Sequence, residues 1–332
     1  MQTVRIDFAD FWHPDSTEAK QRNPLYRLLS QRFQLELSAH PDFLIHSCFG
    51  RRFTDYKCIR IFYTGENVRP NFDECDYAFS FDYPVTDRNY RLPLWALGGG
   101  LDELLRPKDP DAILRAKSKF CNFLFSNGFA KERIRFFHML SRYKRVDAGR
   151  RVLNNLGYTV APNDTLAFQA QYKFTIAFEN SSYPGYTTEK LVHALRANTI
   201  PIYWGNPLVY RDFNTRAFIN CHEYPDFDAV VRRVIEVDND DELFRQYVNE
   251  PAFVGHVLNP QYTTAAVSDR FAAIFANRTL RPVAQDRRRQ WEAELKYASM
   301  ALLRQLMGTA VRLARPARRL YAQLRTKEPG AS

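Results

Sequence analysis

The densest run of groups able to handle a charged, hydroxyl-rich ligand lies between Tyr172 and Pro207. Lys173–Phe178 reads as an apolar strand, and Glu179 and Asn180 follow it directly. A polar turn then leads through Tyr186, Thr187, Thr188, Glu189 and Lys190 into a helix over Thr188–Arg196, and a second strand, Thr199–Trp204, ends at Gly205. A turn that leaves the carboxyl end of a strand and opens a helix presents free N–H groups and the positive end of the helix dipole, which attract phosphate. Thr187 or Thr188 is a suitable N-cap. Lys190, in the first turn, adds a point charge fit for a diphosphate, and the Glu189 carboxylate can accept bonds from both hydroxyls of a ribose. Taken alone, a Thr-Thr-Glu-Lys run is also what an ordinary capped surface helix contains.

A second candidate is Glu66, just past the apolar strand Cys58–Tyr63 and a glycine. A carboxylate on a loop at the carboxyl end of a sheet is well placed to act as a general base, though Arg69 nearby offers it a plain ion pair. The acidic run Asp238 to Asp241 has the look of a metal-binding cluster, but it falls between two helical stretches and reads as cap residues. No metal site is expected.

These residues need a scaffold, and the pattern supplies one. Strands are expected at Val4–Phe8, Phe33–Leu37, Phe43–Ser47, Cys58–Tyr63, Tyr77–Phe81, Phe120–Phe125, Lys173–Phe178, Thr199–Trp204 and Ala217–Cys221. Helical spacing lies between them, at Leu25–Arg32, Ala130–Tyr143, Thr188–Arg196 and Phe227–Val237. Apolar strands alternating with helices predict parallel sheets covered on both faces. A chain of 332 residues accommodates two such units. The fold expected is therefore α/β with two Rossmann-like domains facing a cleft, the GT-B arrangement. The polar stretch 149–163, with Gly157 and Pro162, suggests a hinge, which places one domain at 1–148 and the other at 149–286.

The five cysteines are odd in number and far apart, so they read as reduced thiols. No apolar run is long enough for a signal peptide or a membrane span, so a cytoplasmic location is expected. The formal charge is +10, but eleven basic residues against three acidic ones lie from Arg287 onward, leaving the rest near neutral. Residues 287–332 thus form a basic tail. Leu295, Ser299, Leu302, Leu306, Ala310, Leu313, Ala317, Leu320 and Leu324 draw an apolar stripe along it, broken at Pro316. A basic amphipathic helix suits the anionic inner face of a cytoplasmic membrane. The competing reading is a packed helix clasping the two domains. The tail's cations lack interleaved aromatics or a known motif, so no nucleic-acid partner is expected.

Several separated segments resemble the α-1,3/4-fucosyltransferases, glycosyltransferase family 10. They are Lys173-Phe174, Ala177 to Ser181, Tyr186 to Lys190, Ala194, and Pro201 to Gly205. Upstream, Phe62 to Asn67, Pro70 to Phe72, Asp76 to Ala78, Phe120 to Phe123, Ser126-Asn127, Arg133, and Tyr143 with Arg145 to Asp147 also fit, in order, over about residues 1–250.

The resemblance implies an inverting transfer of fucose from GDP-fucose to a glycan hydroxyl. It makes Glu66 the general base, gives Glu189 the ribose, and sets Lys190 and Arg133 on the diphosphate. Asn180 and Tyr186 would line the donor pocket, with Ser126 and Asn127 flanking it. Cations and a helix N-terminus would carry the leaving-group charge, so no cofactor or metal is implied. The implied acceptor is an oligosaccharide or glycolipid: N-acetylglucosamine in a lactosamine-type unit of a surface polysaccharide or lipopolysaccharide, attacked at O3 or O4. Two alternatives stay open: a GT-B transferase using another nucleotide sugar, and a carbohydrate-binding relative without activity.

Overall fold

In a computed structural model of the chain, residues 2–277 and 279–299 are described. Two parallel sheets form the frame. The first contains β1 (Thr3–Ala9), β2 (Gln34–Leu37), β3 (Phe43–His46), β4 (Ile59–Tyr63), β5 (Tyr77–Ser80) and β6 (Asn89–Arg91), in spatial order β2-β1-β3-β4-β5-β6. The second contains β7 (Lys119–Phe123), β8 (Val146–Ala148), β9 (Tyr172–Phe178), β10 (Ile200–Trp204) and β11 (Ile219–Asn220), in order β11-β10-β9-β7-β8. Both sheets therefore begin with the same order: the first strand sits between the second and the third. β3 and β4 are buried along their whole length, as both-face burial in a parallel sheet requires.

The division between the units differs from the expected one. β7 pairs with β9, Cys121 opposite Phe174, and β8 pairs with β7, Cys121 opposite Val146. The second unit thus starts before Lys119 and not at 149. The helix Pro110–Ala116 already belongs to it, with Asp111 paired to Arg245 at 2.8 Å. The stretch 149–163 is no hinge: Gly149 and Val152 donate backbone bonds to Phe123 and Phe125, and Val160 packs with Leu124, Phe168 and Tyr172. Its polar composition reflects a surface loop over the sheet, and composition alone does not separate such a loop from a linker.

The C-terminal part also returns to the first unit. In the helix Thr264–Ala276, Phe271 stacks on Phe79 at 4.1 Å and Phe275 meets Phe43 at 4.7 Å. Full burial of rings like these contributes about 1.5–3 kcal/mol each. Residues 287–299 continue as a helix on the same unit, so the expected domain limits of 149–286 and 287–332 both give way. Gln290 accepts from the buried Arg60 at 2.8 Å and donates to the Thr54 carbonyl at 2.7 Å. Lys296 and Tyr297 hold the Glu74 carboxylate at 2.7 and 2.9 Å. Leu295 and Ser299, the first members of the apolar stripe, face away from this contact and are exposed. The rest of the stripe lies outside the described residues.

One hydrophobic core runs through both units. Trp95 of the first packs against Phe213 of the second and Tyr262 of the C-terminal segment, with ring centroids 4.9 and 4.8 Å apart. Above it Arg91 meets Asp212 in a buried bidentate pair, 3.0 and 2.6 Å. All five cysteines are free, as expected. Among the described residues no helix is long and apolar enough to cross a membrane.

Candidate active site

β7 is flanked by β8 on one side and β9 on the other, so the loops after β7 and β9 leave in opposite directions and open a crevice between them. A cavity of about 190 Å³ occupies that crevice. Of the expected donor-side residues, Ser126, Asn127, Arg133, Asn180, Glu189 and Lys190 line it. Tyr186 does not: it is buried at the seam between the units, its ring edge-on to Phe81 at 5.3 Å.

Arg133, on the helix Lys131–Leu140, is almost wholly buried. It donates to the Phe178 carbonyl at 3.0 Å and to Asn180 Oδ1 at 2.8 Å, and its guanidinium lies 4.0 Å from the Phe125 ring centroid. Burial pulls its pKa down to about 10, so it remains a cation near neutral pH. Its Nε has no partner among the described residues, which leaves donor capacity beside the cavity.

The helix Glu189–Arg196 starts as expected, with Thr188 as N-cap, but the capping chemistry differs. The Thr188 side chain caps no backbone N–H of its own helix and instead accepts from Lys190 Nζ at 2.7 Å. It donates to Glu179 Oε2 at 2.7 Å, while Glu179 Oε1 accepts from the Thr188 N–H at 2.7 Å. Glu179 is fully buried and also holds Lys190 Nζ at 3.1 Å. Burial pushes the Glu179 carboxyl up, and the Lys190 charge opposes that. For Lys190 desolvation works against the charge, yet Glu179 and Glu189 together raise its pKa. Glu189 Oε1 lies 3.6 Å from Lys190. Burial opposes the charge of Glu189 too, but Lys190 holds its carboxyl below the usual range.

Glu66 is reached from the other side. It stands on the loop after β4, where Thr64 Oγ1 accepts its N–H at 3.0 Å and donates to its carbonyl at 3.0 Å. The carboxylate faces the second unit: Asn180 Nδ2 and the Tyr186 hydroxyl donate to Oε2 at 3.3 and 3.4 Å. Next to it Asn67 donates to Ser181 at 2.7 Å. Arg69 is not its partner; that guanidinium lies over the Tyr183 ring at 4.3 Å. Tyr186 is aimed here by Gly185, whose φ of +87° is left-handed and whose missing Cβ would stand 2.5 Å from the Phe81 carbonyl.

Four lining residues escaped the sequence reading, as did the role of Glu179. Arg150, Thr165, Gln169 and His193 line the cavity, and Glu179 anchors its lysine. His193 lies four residues after Glu189 on one helix face, a spacing that could have revealed it. Arg150 and Gln169 come from loops and a short helix with no such signal. The acidic run behaves as expected at Asp240, which caps the helix Asp241–Asn249. Asp238 instead is buried against Lys144 and Lys173. Among the described residues no group of three or more His, Cys, Asp or Glu is arranged to hold a metal ion. A second hollow, about 770 Å³, lies around Asp7, Lys20 and Tyr56, but there the Asp7 carboxylate is already held by Lys20 and the Tyr56 hydroxyl.

The geometry unites a carboxylate from one unit with paired cations and a carboxylate from the other, across a seam between two Rossmann-like sheets. Comparison with known proteins agrees. The alpha-(1,3)-fucosyltransferase FucT N-terminal domain matches residues 6–98, and the glycosyltransferase family 10 (fucosyltransferase) C-terminal model matches 114–254. The gap between these matches falls where the structure divides. The alpha-(1,3)-fucosyltransferase FucT of Helicobacter pylori is 33% identical over 268 residues, 69% of this chain and 56% of that protein. Alpha-(1,3)-fucosyltransferase 4 of Homo sapiens is 34% identical over 118 residues, 35% of this chain and 22% of that protein. The chain thus spans little more than half the length of the first of these relatives. A crystal structure of an alpha1,3-fucosyltransferase with GDP-fucose matches with a TM-score of 0.69 at 27% identity, covering 85% of this chain and 93% of that one. With both halves matched in order and the GT-B frame in place, the chain belongs to glycosyltransferase family 10, the fucosyltransferases.

Proposed function

We propose that this protein is an inverting α-1,3-fucosyltransferase that uses GDP-fucose. The observation that carries the reading is the position of Glu66. Its carboxylate faces Asn180 and Tyr186 from across the seam, while Arg133, Glu189 and Lys190 line the adjoining cavity. In this reading an acceptor hydroxyl attacks C1 of fucose from the face opposite GDP. Glu66 takes the hydroxyl proton as the new C–O bond forms, and the bond to the phosphate oxygen breaks with its electron pair leaving on GDP. Arg133, Lys190 and the start of the 189–196 helix meet the growing negative charge, and Glu189 holds the ribose. Side-chain cations supply that charge without a metal ion. The acceptor is assigned to N-acetylglucosamine within a lactosamine-type glycan of a surface polysaccharide or glycolipid. Tail residues from 300 on, with the exposed Trp291 and Leu295, suit contact with an anionic membrane on its cytoplasmic side.

Glu66→Gln tests the assignment. The amide keeps the shape but accepts no proton, so turnover falls by about 10²–10⁴-fold while GDP affinity persists. Glu189→Ala provides the contrast, losing GDP-fucose affinity as well as rate. Near-normal turnover in Glu66→Gln places the base elsewhere, and tighter binding of UDP than of GDP points to another nucleotide sugar.

A further inference from the structure

The acceptor-side unit contains a further cavity that the chemistry above does not use. It measures about 620 Å³, within the range of ligand pockets. It opens at the carboxyl ends of β3 and β4 and is closed on one side by the 287–299 helix through Lys296 and Tyr297. Its connection to the proposed base is direct. Val68 and Arg69, on the Glu66 loop, line the rim. Cys48, on the wall, contacts Thr64 at 3.7 Å, and the Thr64 hydroxyl accepts the Glu66 N–H.

The lining has the composition of a sugar site. Phe49 is half exposed and stands edge-on to the equally exposed Trp12, ring centroids 6.1 Å apart, while Tyr297 supplies further aromatic surface. Ring faces of this kind cover the apolar faces of pyranoses. Polar groups are interspersed, and the one carboxylate of the lining, Glu74, has its two oxygens engaged by Lys296 and Tyr297. On the floor His46 is stacked on Phe53 at 4.4 Å, and its two ring nitrogens have no hydrogen-bond partner among the described residues. Burial, helped by the nearby Arg60 charge, pulls its pKa down to about 3, so this imidazole is uncharged at neutral pH.

We propose that this cavity binds the pyranose rings of the acceptor glycan beyond the one attacked, and that Phe49 and the C-terminal helix residue Tyr297 select for them. The proposal rests on the reading of Glu66 as the base and deepens it. It also gives residues 287–299 a part in acceptor choice, where the tail's charge suggested only anchorage.

The test compares two acceptors at saturating GDP-fucose: N-acetylglucosamine alone, and a tetrasaccharide ending in N-acetyllactosamine. In Phe49→Ala and Tyr297→Ala the ratio of kcat/KM for tetrasaccharide over monosaccharide falls about five- to tenfold, through KM, with GDP affinity as the check on folding. Tyr297→Phe keeps the ring and keeps the ratio. An unchanged ratio in both alanine variants overturns the proposal, as does a wild-type protein with no preference for the longer acceptor. Calorimetric titration of the tetrasaccharide into GDP-loaded protein separates this from the proposed activity. Binding weakened by Phe49→Ala supports the cavity even where no fucose is transferred, and binding indifferent to both alanine variants refutes it.

Discussion

The pairing of Glu179 with Lys190 is expected to couple the stability of the second unit to the cation proposed to meet the diphosphate. Glu179 is fully buried with three close partners: the Thr188 N–H, the Thr188 hydroxyl and the Lys190 ammonium. Glu179→Ala removes all three acceptor contacts, takes the nearest carboxylate from a partly buried ammonium and frees the Thr188 residue that starts the helix carrying Glu189. Breaking one partner of a buried pair costs about 3–5 kcal/mol, a large share of the 5–15 kcal/mol that holds a typical domain folded. Glu179→Gln is gentler: its carbonyl still accepts the Thr188 N–H, but the charge-assisted bond to Lys190, about 1.5–3 kcal/mol, is lost. Lys190→Met leaves the opposite defect, a buried carboxylate without its cation. The double variant Glu179→Gln/Lys190→Met has neither stranded charge, so it is more stable than the two single losses added together, by about 1–3 kcal/mol. Urea denaturation of the four proteins measures this. GDP titration follows the same series: Glu179→Gln retains an ammonium that has lost one anchor and binds GDP more weakly than wild type, while both proteins lacking Lys190 bind it weakest. If the single losses add to within about 0.5 kcal/mol, the pair is not coupled and the account of this helix start is wrong.

Acid sensitivity is expected from His46. Its folded pKa of about 3 lies below the ordinary 6.5, so the unfolded chain takes up the proton first as pH falls, and stability is lost progressively from about pH 6.5 down to about 3. At pH 5 that loss is about 2 kcal/mol, and a His46→Phe protein that shows the same drop between pH 7.5 and 5 refutes the assignment. Fucose transfer is expected to continue in EDTA, since the leaving-group charge is assigned to Arg133 and Lys190; loss of activity restored by Mn²⁺ shows that assignment to be mistaken. A chain ending at Asp286 lacks Gln290, Ala293, Lys296 and Tyr297 and melts well below one ending at Ser299, because Arg60 loses one partner and Glu74 loses two. Equal melting temperatures for the two forms contradict the docking of the 287–299 helix.

Local features were readable in the linear chain because they depend on near neighbours. The strand Tyr172–Phe178, the turn after it and the helix Glu189–Arg196 follow from apolar runs, a polar break and a Thr-Glu pair within thirty residues. Glu66 was legible for the same reason, as a carboxylate just past an apolar strand. β6 and β8 were not, since three residues carry too little periodicity. What tertiary structure alone decided involves partners far apart in the chain. β7 chooses β9, some fifty residues on, and that pairing moves the domain boundary to before Lys119. The Glu66 carboxylate finds Asn180 and Tyr186 more than a hundred residues away. Gln290 and Tyr297 belong to a segment whose charge pointed to a membrane, yet they dock on Arg60 and Glu74. Composition and periodicity record which face of an element is apolar, but not which other surface will cover it. That choice is made by the shape and burial of the whole core, and here it brings the Glu66 carboxylate to Asn180 and Tyr186 across the seam.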